Sequence, residues 1–317
     1  MPKVFSYYRF WMHWLAGIFL IVCGIPCQAG ELHRIGVSVT DLGNPFFVRI
    51  AHGVEVAARR MIGPNVQVFV ASSAYDLPRQ AMQIDSFIKK KVDLIVITAA
   101  DPVAIEPAVR KAQAAGIPVI AVDVRAAGAD ATITTDNVLV GTLACEYIAQ
   151  QLKGHGKLVI INGPRVSATI DRVAGCLAKL KSYPSIQMLS ADRDGGGSAE
   201  GGFAKMTDLL TLYPHIDAVF AINDPTAMGA EEAARQAGRS EFFIVGVDGA
   251  PKTRARMRDV GSLIIATLAQ QPDLQAEKAV EYGYALIKKR PLPHAIALIP
   301  PQLVTKASAQ EPSRWQE

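Results

Sequence analysis

After Ile25 the 317-residue chain has no apolar run long enough to cross a membrane, which takes about 20 residues. Aromatic residues make up only 7%, and 33 basic side chains face 29 acidic ones. So small a surplus gives no reason to expect a nucleic-acid partner. Four cysteines are too few for a disulfide-built scaffold, and 50% hydrophobic content excludes a disordered chain. Catalytic patterns are missing as well. The first expected strand runs into Thr40-Asp41-Leu42-Gly43-Asn44-Pro45 and not into Gly-x-Gly-x-x-Gly, so no dinucleotide site is expected there. The glycine-rich stretch from Asp194 to Gly202 lacks the Gly-Lys-Ser/Thr ending of a phosphate loop. Glu200 stands where a nucleophile elbow needs glycine. His33, His52, His155, His215 and His294 are scattered, with no pair at metal spacing. No cofactor, metal or catalytic residue is expected, and the chain reads as a non-enzyme.

What is present begins with an export signal. Lys3 and Arg9 are the only charges of the first 29 residues, and Trp11 to Ile25 is apolar except for His13. Small residues follow, and cleavage is expected after Ala29, which places the mature chain in the periplasm. The apolar stretch is short for an anchor. Val22 before Cys23 and Pro26 before Cys27 disfavour a lipoprotein. Cleavage leaves a net charge of +2 and two cysteines, Cys145 and Cys176, either bridged or separately buried.

The mature length favours two domains. Strands are expected over 34–40, 66–72, 93–99, 118–124 and 131–135, with helices near 46–61, 76–91 and 104–116 between them. The alternation then restarts. Helices near 138–152, 167–183, 198–213, 224–238 and 273–290 alternate with strands over 157–162, 186–191, 218–223, 242–247 and 263–269. Nearly all-apolar strands joined by helices imply an α/β protein of two doubly wound parallel-sheet domains. Ligands of such sheets sit beyond the carboxyl ends of the strands. The residues there include Asp41 to Asn44, Asp123, Asp136-Asn137, Asn162, Asn223-Asp224, Asp248 and Gln270. They are polar, with little fixed positive charge. Taken singly, Asn44-Pro45, Asn223-Asp224-Pro225 and Asp248-Gly249-Ala250-Pro251 read as helix entries.

Taken together and in order, they carry a resemblance. Its markers are Asn44-Pro45-Phe46-Phe47, Gly116-Ile117-Pro118-Val119-Ile120 leading to Asp123, and Thr135-Asp136-Asn137. Ala221-Ile222-Asn223-Asp224, Val245-Gly246-Val247-Asp248-Gly249 and Ala266-Thr267-Leu268-Ala269-Gln270 follow. From about Arg34 to Lys306 the chain resembles the ribose-binding family of periplasmic sugar-binding proteins, the type I group. The resemblance implies two lobes with a hinge, 31–135 plus 271–298 and 136–270 plus 299–306, followed by a loose polar tail over 307–317. It implies that Asn44, Asp123, Arg172, Asn223, Asp248 and Gln270 hydrogen-bond sugar hydroxyls, while Phe46 and Phe47 meet the C–H faces of the ring. It also implies a monomer that closes on a neutral sugar or sugar alcohol and is read by an ABC permease. A sensor handing its closed form to a membrane receptor or histidine kinase is the alternative. Two departures stand out. Val124 replaces an arginine of the ribose binders, with Arg125 expected to point to the other side of the strand, and Gly197 falls where they carry a third aromatic contact. Ribose itself is therefore not the expected ligand over another pentose, a hexose or a polyol.

Overall fold

The computed structural model describes Met1, residues 31–311 and Trp315; the expected export signal and its cleavage point lie outside the described residues. The first run is β1 (Arg34–Val39), α1 (Pro45–Ile62), β2 (Gln67–Ser72), α2 (Leu77–Lys89), β3 (Leu94–Ile97), α3 (Glu106–Ala114), β4 (Val119–Val122) and β5 (Ala131–Thr135). The second is α4 (Asn137–Gln151), β6 (Gly156–Asn162), α5 (Ser167–Leu180), β7 (Ile186–Asp194), α6 (Ala199–Leu212), β8 (Ala218–Ala221), α7 (Asp224–Gln236), β9 (Phe243–Asp248), α8 (Pro251–Arg258) and β10 (Ile264–Ala269). The chain closes with α9 (Pro272–Ile287), β11 (Ile296–Ile299) and β12 (Gln302–Thr305).

Among the described residues these strands form two sheets of six, ordered β11-β5-β4-β3-β1-β2 and β12-β10-β9-β8-β6-β7. Every residue of β3, β4 and β8 is buried, as strands covered on both faces must be. One edge departs from the expected parallel order, because β12 runs antiparallel to β10. The reason is connectivity. β11 lies parallel to β5 and ends at the carboxyl edge of the first sheet, two residues before β12 enters the second. A strand entering from that edge can only run away from it. The same edge carries the links from β5 to α4 and from β10 to α9, so three short connections join the lobes side by side.

In the second lobe, α4 and α5 touch backbone to backbone. A Cβ on Gly141 would fall 1.8 Å from the Arg172 carbonyl oxygen, and one on Gly175 would fall 2.1 Å from that of Val138. This contact sets the height of Arg172 above the sheet. The two thiols left open by the sequence are joined, and the Cys145–Cys176 disulfide ties the same helices. With a sequence separation of 31, the bridge should contribute about 3 to 4 kcal/mol. A Cys145→Ser, Cys176→Ser double variant is expected to lose that much in urea unfolding. An unchanged midpoint would show that the bridge adds nothing to stability.

Within the stretch expected as a loose tail, two of the described residues are buried, Ala309 and Trp315. The Ala309 carbonyl accepts from Arg254 at 3.4 Å and Arg258 at 3.1 Å. The Trp315 indole lies against Phe46, ring centroids 6.1 Å apart, and its Nε1 donates to the Gln270 carbonyl at 3.2 Å.

Candidate ligand-binding site

All eight residues singled out in the sequence line one cavity between the lobes. Strand ends place them there. Asn44 follows β1 and caps α1, its Oδ1 accepting from Phe46 N at 2.9 Å. One side chain thus both caps the helix and lines the cavity. Phe46 and Phe47 enter on the first turn of α1 with their rings edge to face, 5.4 Å apart. Asn223 repeats the arrangement in the other lobe. Its Oδ1 caps α7 at Thr226 N (3.0 Å), while its Nδ2 donates to the Gly197 carbonyl at 2.8 Å.

Asp123 and Asp248 occupy matching places, just past β4 and at the end of β9, which hold the same rank in the two sheets. Both have positive φ, 63° and 131°. Backbone of that kind costs non-glycine residues of order 1–3 kcal/mol and persists only where the surroundings enforce it. Here the Thr134 hydroxyl clamps the Asp123 carbonyl at 2.6 Å. Asp248 Oδ1 accepts from Gln270 Nε2 at 2.8 Å, and Gln270 Oε1 accepts from the Thr135 hydroxyl at 2.7 Å. Gln270 and Thr135 sit on two of the three connections between lobes, so the hinge itself orients one cleft carboxylate. Asp123 Oδ1 is buried with no hydrogen-bond partner among the described residues.

Arg172 is the guanidinium among the cavity-lining residues. Its Nε donates to Asn137 Oδ1 (2.9 Å) and its Nη1 to the Ile222 carbonyl (2.8 Å), which locks the fork in place. Burial raises the Asp123 carboxyl to about 7; the Arg172 charge pulls against this, and Asp248 adds to it. Burial likewise lifts Asp248 to about 6, with Arg172 and the Gln270 hydrogen bond opposing. One fixed cation thus serves two buried carboxyls.

The enclosed space is small, about 40 Å³ open to the centre of a water molecule. So small an enclosed space leaves no room for a polymer. Val124 is buried and lines it, as do Tyr75 and Gly197. Arg125 turns away from the cavity, as the alternation of side chains demands. It pairs with Asp171 across the lobes, Nη1 to Oδ2 2.5 Å and Nη2 to Oδ1 3.2 Å, while its backbone N donates to Ser167 Oγ at 2.8 Å. The other strand-end residues have local work and stay outside. Asp136 caps α4 at Leu139 N, Asn162 accepts from Gly163 N, and Asp224 holds Ala250 N and the Thr267 hydroxyl. The glycine-rich loop is a strand-to-helix turn in which Ser198 caps α6 at Gly201 N. Sequence reasoning missed Tyr75. It lies three residues past β2, so the strand-end rule could have found it, but no motif marks it.

Comparison with known proteins agrees with this geometry. Residues 35–291 match the family model described as a periplasmic binding protein domain. The ribose import binding protein of Bacillus subtilis is 34% identical over 263 residues, covering 81% of this chain and 83% of the relative. The xylitol-binding protein of Mycolicibacterium smegmatis is 32% identical, covering 74% and 67% respectively. A crystal structure of an ABC transporter periplasmic solute-binding protein from Actinobacillus succinogenes with bound D-allose is 28% identical. It superposes with a TM-score of 0.80 over 88% of this chain and 99% of the other. Fold, strand-end site and relatives converge: the chain belongs to the periplasmic binding protein family as a ribose-binding-like solute-binding protein, not an enzyme.

Proposed function

We propose that this protein captures a neutral sugar or sugar alcohol between its lobes in the periplasm and delivers it to an ABC permease. The observation that carries the reading is the partnerless, buried Asp123 oxygen, which lines a small enclosed cavity together with Asp248 and Arg172. A buried acceptor left unmade costs about 1–3 kcal/mol, and vicinal hydroxyls supply the donors. Phe46 and Phe47 give a C–H face its apolar counterpart. The relatives' ligands, ribose, xylitol and allose, share this chemistry of dense hydroxyls with no charge. Residues 31–135 with 271–298, and 136–270 with 299–306, serve as the two bodies that close on the ligand. The permease reads the closed form. Export by a signal cleaved after Ala29 accords with the disulfide, which an oxidising compartment keeps intact.

Protons provide the test. Both cleft carboxyls titrate above the ordinary 3.8, so the folded protein holds protons that an unfolded chain releases. Stability from these groups is fully present below about pH 4 and is lost as the pH rises through about 6 and then about 7. Hydroxyl donors favour the ionised carboxyl, so ligand binding reverses that preference and expels protons. Titration calorimetry at pH 6.5 against ribose, allose, xylitol and related polyols should show one site with proton release in paired buffers. Affinity should rise at least about tenfold from pH 5.5 to 7.5. Binding without proton release would remove the carboxylates from the ligand contacts, and no binding across the panel would remove the polyol.

A further inference from the structure

Tyr75 stands in the loop between β2 and α2, where Ala74 and Tyr75 have φ of 52° and 56°. Two successive left-handed residues, neither of them glycine, need a framework that enforces them. Ser73 O holds Asp76 N at 3.0 Å, and the Asp76 side chain caps α2 at Arg79 N, 2.7 Å. The turn aims the Tyr75 side chain at the cleft. Its ring packs against both core clusters of the first lobe, and its hydroxyl reaches across to the second. There it lies 4.0 Å from the point a Cβ on Gly197 would occupy.

The cavity lining is of two kinds. Phe46 and Phe47 contribute apolar rings, whereas the Tyr75 phenol, the bare backbone of Gly197 and the Asn223 side chain contribute polar groups, with the Tyr75 hydroxyl close to Gly197. Burial pushes the Tyr75 hydroxyl well up; the Thr40 hydroxyl partly offsets this, and Asp123, Asp41 and Asp248 add to it. The phenol consequently keeps its proton throughout the working pH range and can donate it in a hydrogen bond.

We propose that Tyr75 contacts the ligand and sets its specificity, the Tyr75–Gly197 end of the cleft selecting a sugar or sugar alcohol that presents a hydroxyl there. The inference rests on the polyol reading above. A ligand with only C–H at that end sets an apolar group against the buried phenol, and a site built for a hydroxyl rejects such an analogue strongly. No side chain at Gly197 competes for the space.

The test uses Tyr75→Phe in the full mature chain, which removes one oxygen and keeps the ring. Calorimetry first finds which of ribose, allose, xylitol and sorbitol binds the wild type most tightly, then compares that probe with its monodeoxy analogues on both proteins. The variant should bind the parent probe about 10- to 100-fold more weakly. One deoxy analogue, lacking the hydroxyl that faces Tyr75, should bind both proteins within twofold. Equal binding of every probe by variant and wild type overturns the proposal. So does an equal loss across the parent and all deoxy analogues, which is the signature of a merely structural tyrosine. If no probe binds the wild type, the polyol reading fails and this proposal falls with it.

Discussion

Asp248→Ala should abolish detectable sugar or polyol binding while leaving the fold intact. The carboxylate accepts from Gln270 and from the Asp224 backbone, and it lines the cavity. Hydrogen bonds to a charged group are worth about 1.5–3 kcal/mol each, so losing two ligand contacts weakens binding by about 100-fold or more. Stability moves the other way or hardly at all. Above pH 7 an ionised, buried carboxylate is a cost, and its removal offsets the Gln270 amide left without this acceptor. Urea unfolding at pH 8 should thus agree with the wild type within about 1 kcal/mol. Normal affinity in this variant would show that the second lobe contributes its polar contacts from elsewhere, and a collapsed fold would make Asp248 a structural residue.

Arg172→Met is expected to harm both properties, and unequally with pH. The guanidinium satisfies the Ile222 carbonyl and the Asn137 side chain, and it is the charge that opposes the rise of both cleft carboxyls. Without it, Asp123 and Asp248 take up protons at still higher pH. The destabilisation should be modest at pH 5, where both are already neutral. At pH 8 it should approach the 3–5 kcal/mol typical of a buried charge stripped of its partner. Ligand affinity should fall about 100-fold as the fork's free edge is lost. A stability loss identical at pH 5 and 8 would mean that the arginine acts only through its two neutral hydrogen bonds.

Much of this site was legible in the sequence because one geometric rule does most of the placing. In a parallel sheet the strand ends share an edge, so Asp123 and Asp248, 125 residues apart, had to converge once the strands around them were recognised. Arg172 is different. It lies on a helix, and only the resemblance brought it in; the close approach at Gly141 and Gly175 that sets its height carries no periodic signal. Of α8 only the entry at Asp248-Gly249-Ala250-Pro251 was legible; half of its residues are charged and it buries only Met257, Thr253 and Arg254, so the apolar spacing of a helix is missing. The reversed direction of β12 follows from a two-residue link at one edge, a property of the assembled sheets and not of any segment. The burial of Ala309 and Trp315 is hidden for a related reason: two apolar residues in a polar stretch carry no periodic signal.

That last contact has an optical consequence. In a chain cut after Ala29, Trp315 is the one tryptophan left, since the other two are Trp11 and Trp14. Its indole rests on Phe46, which lines the cleft, and is anchored to the carbonyl of Gln270 at the junction of the lobes. Any rotation that parts Phe46 from Gln270 must disturb the ring between them and let water reach it. On the proposed closure of the lobes, the ultraviolet emission of this single fluorophore should change colour when ligand binds, and spectra with and without ligand check it.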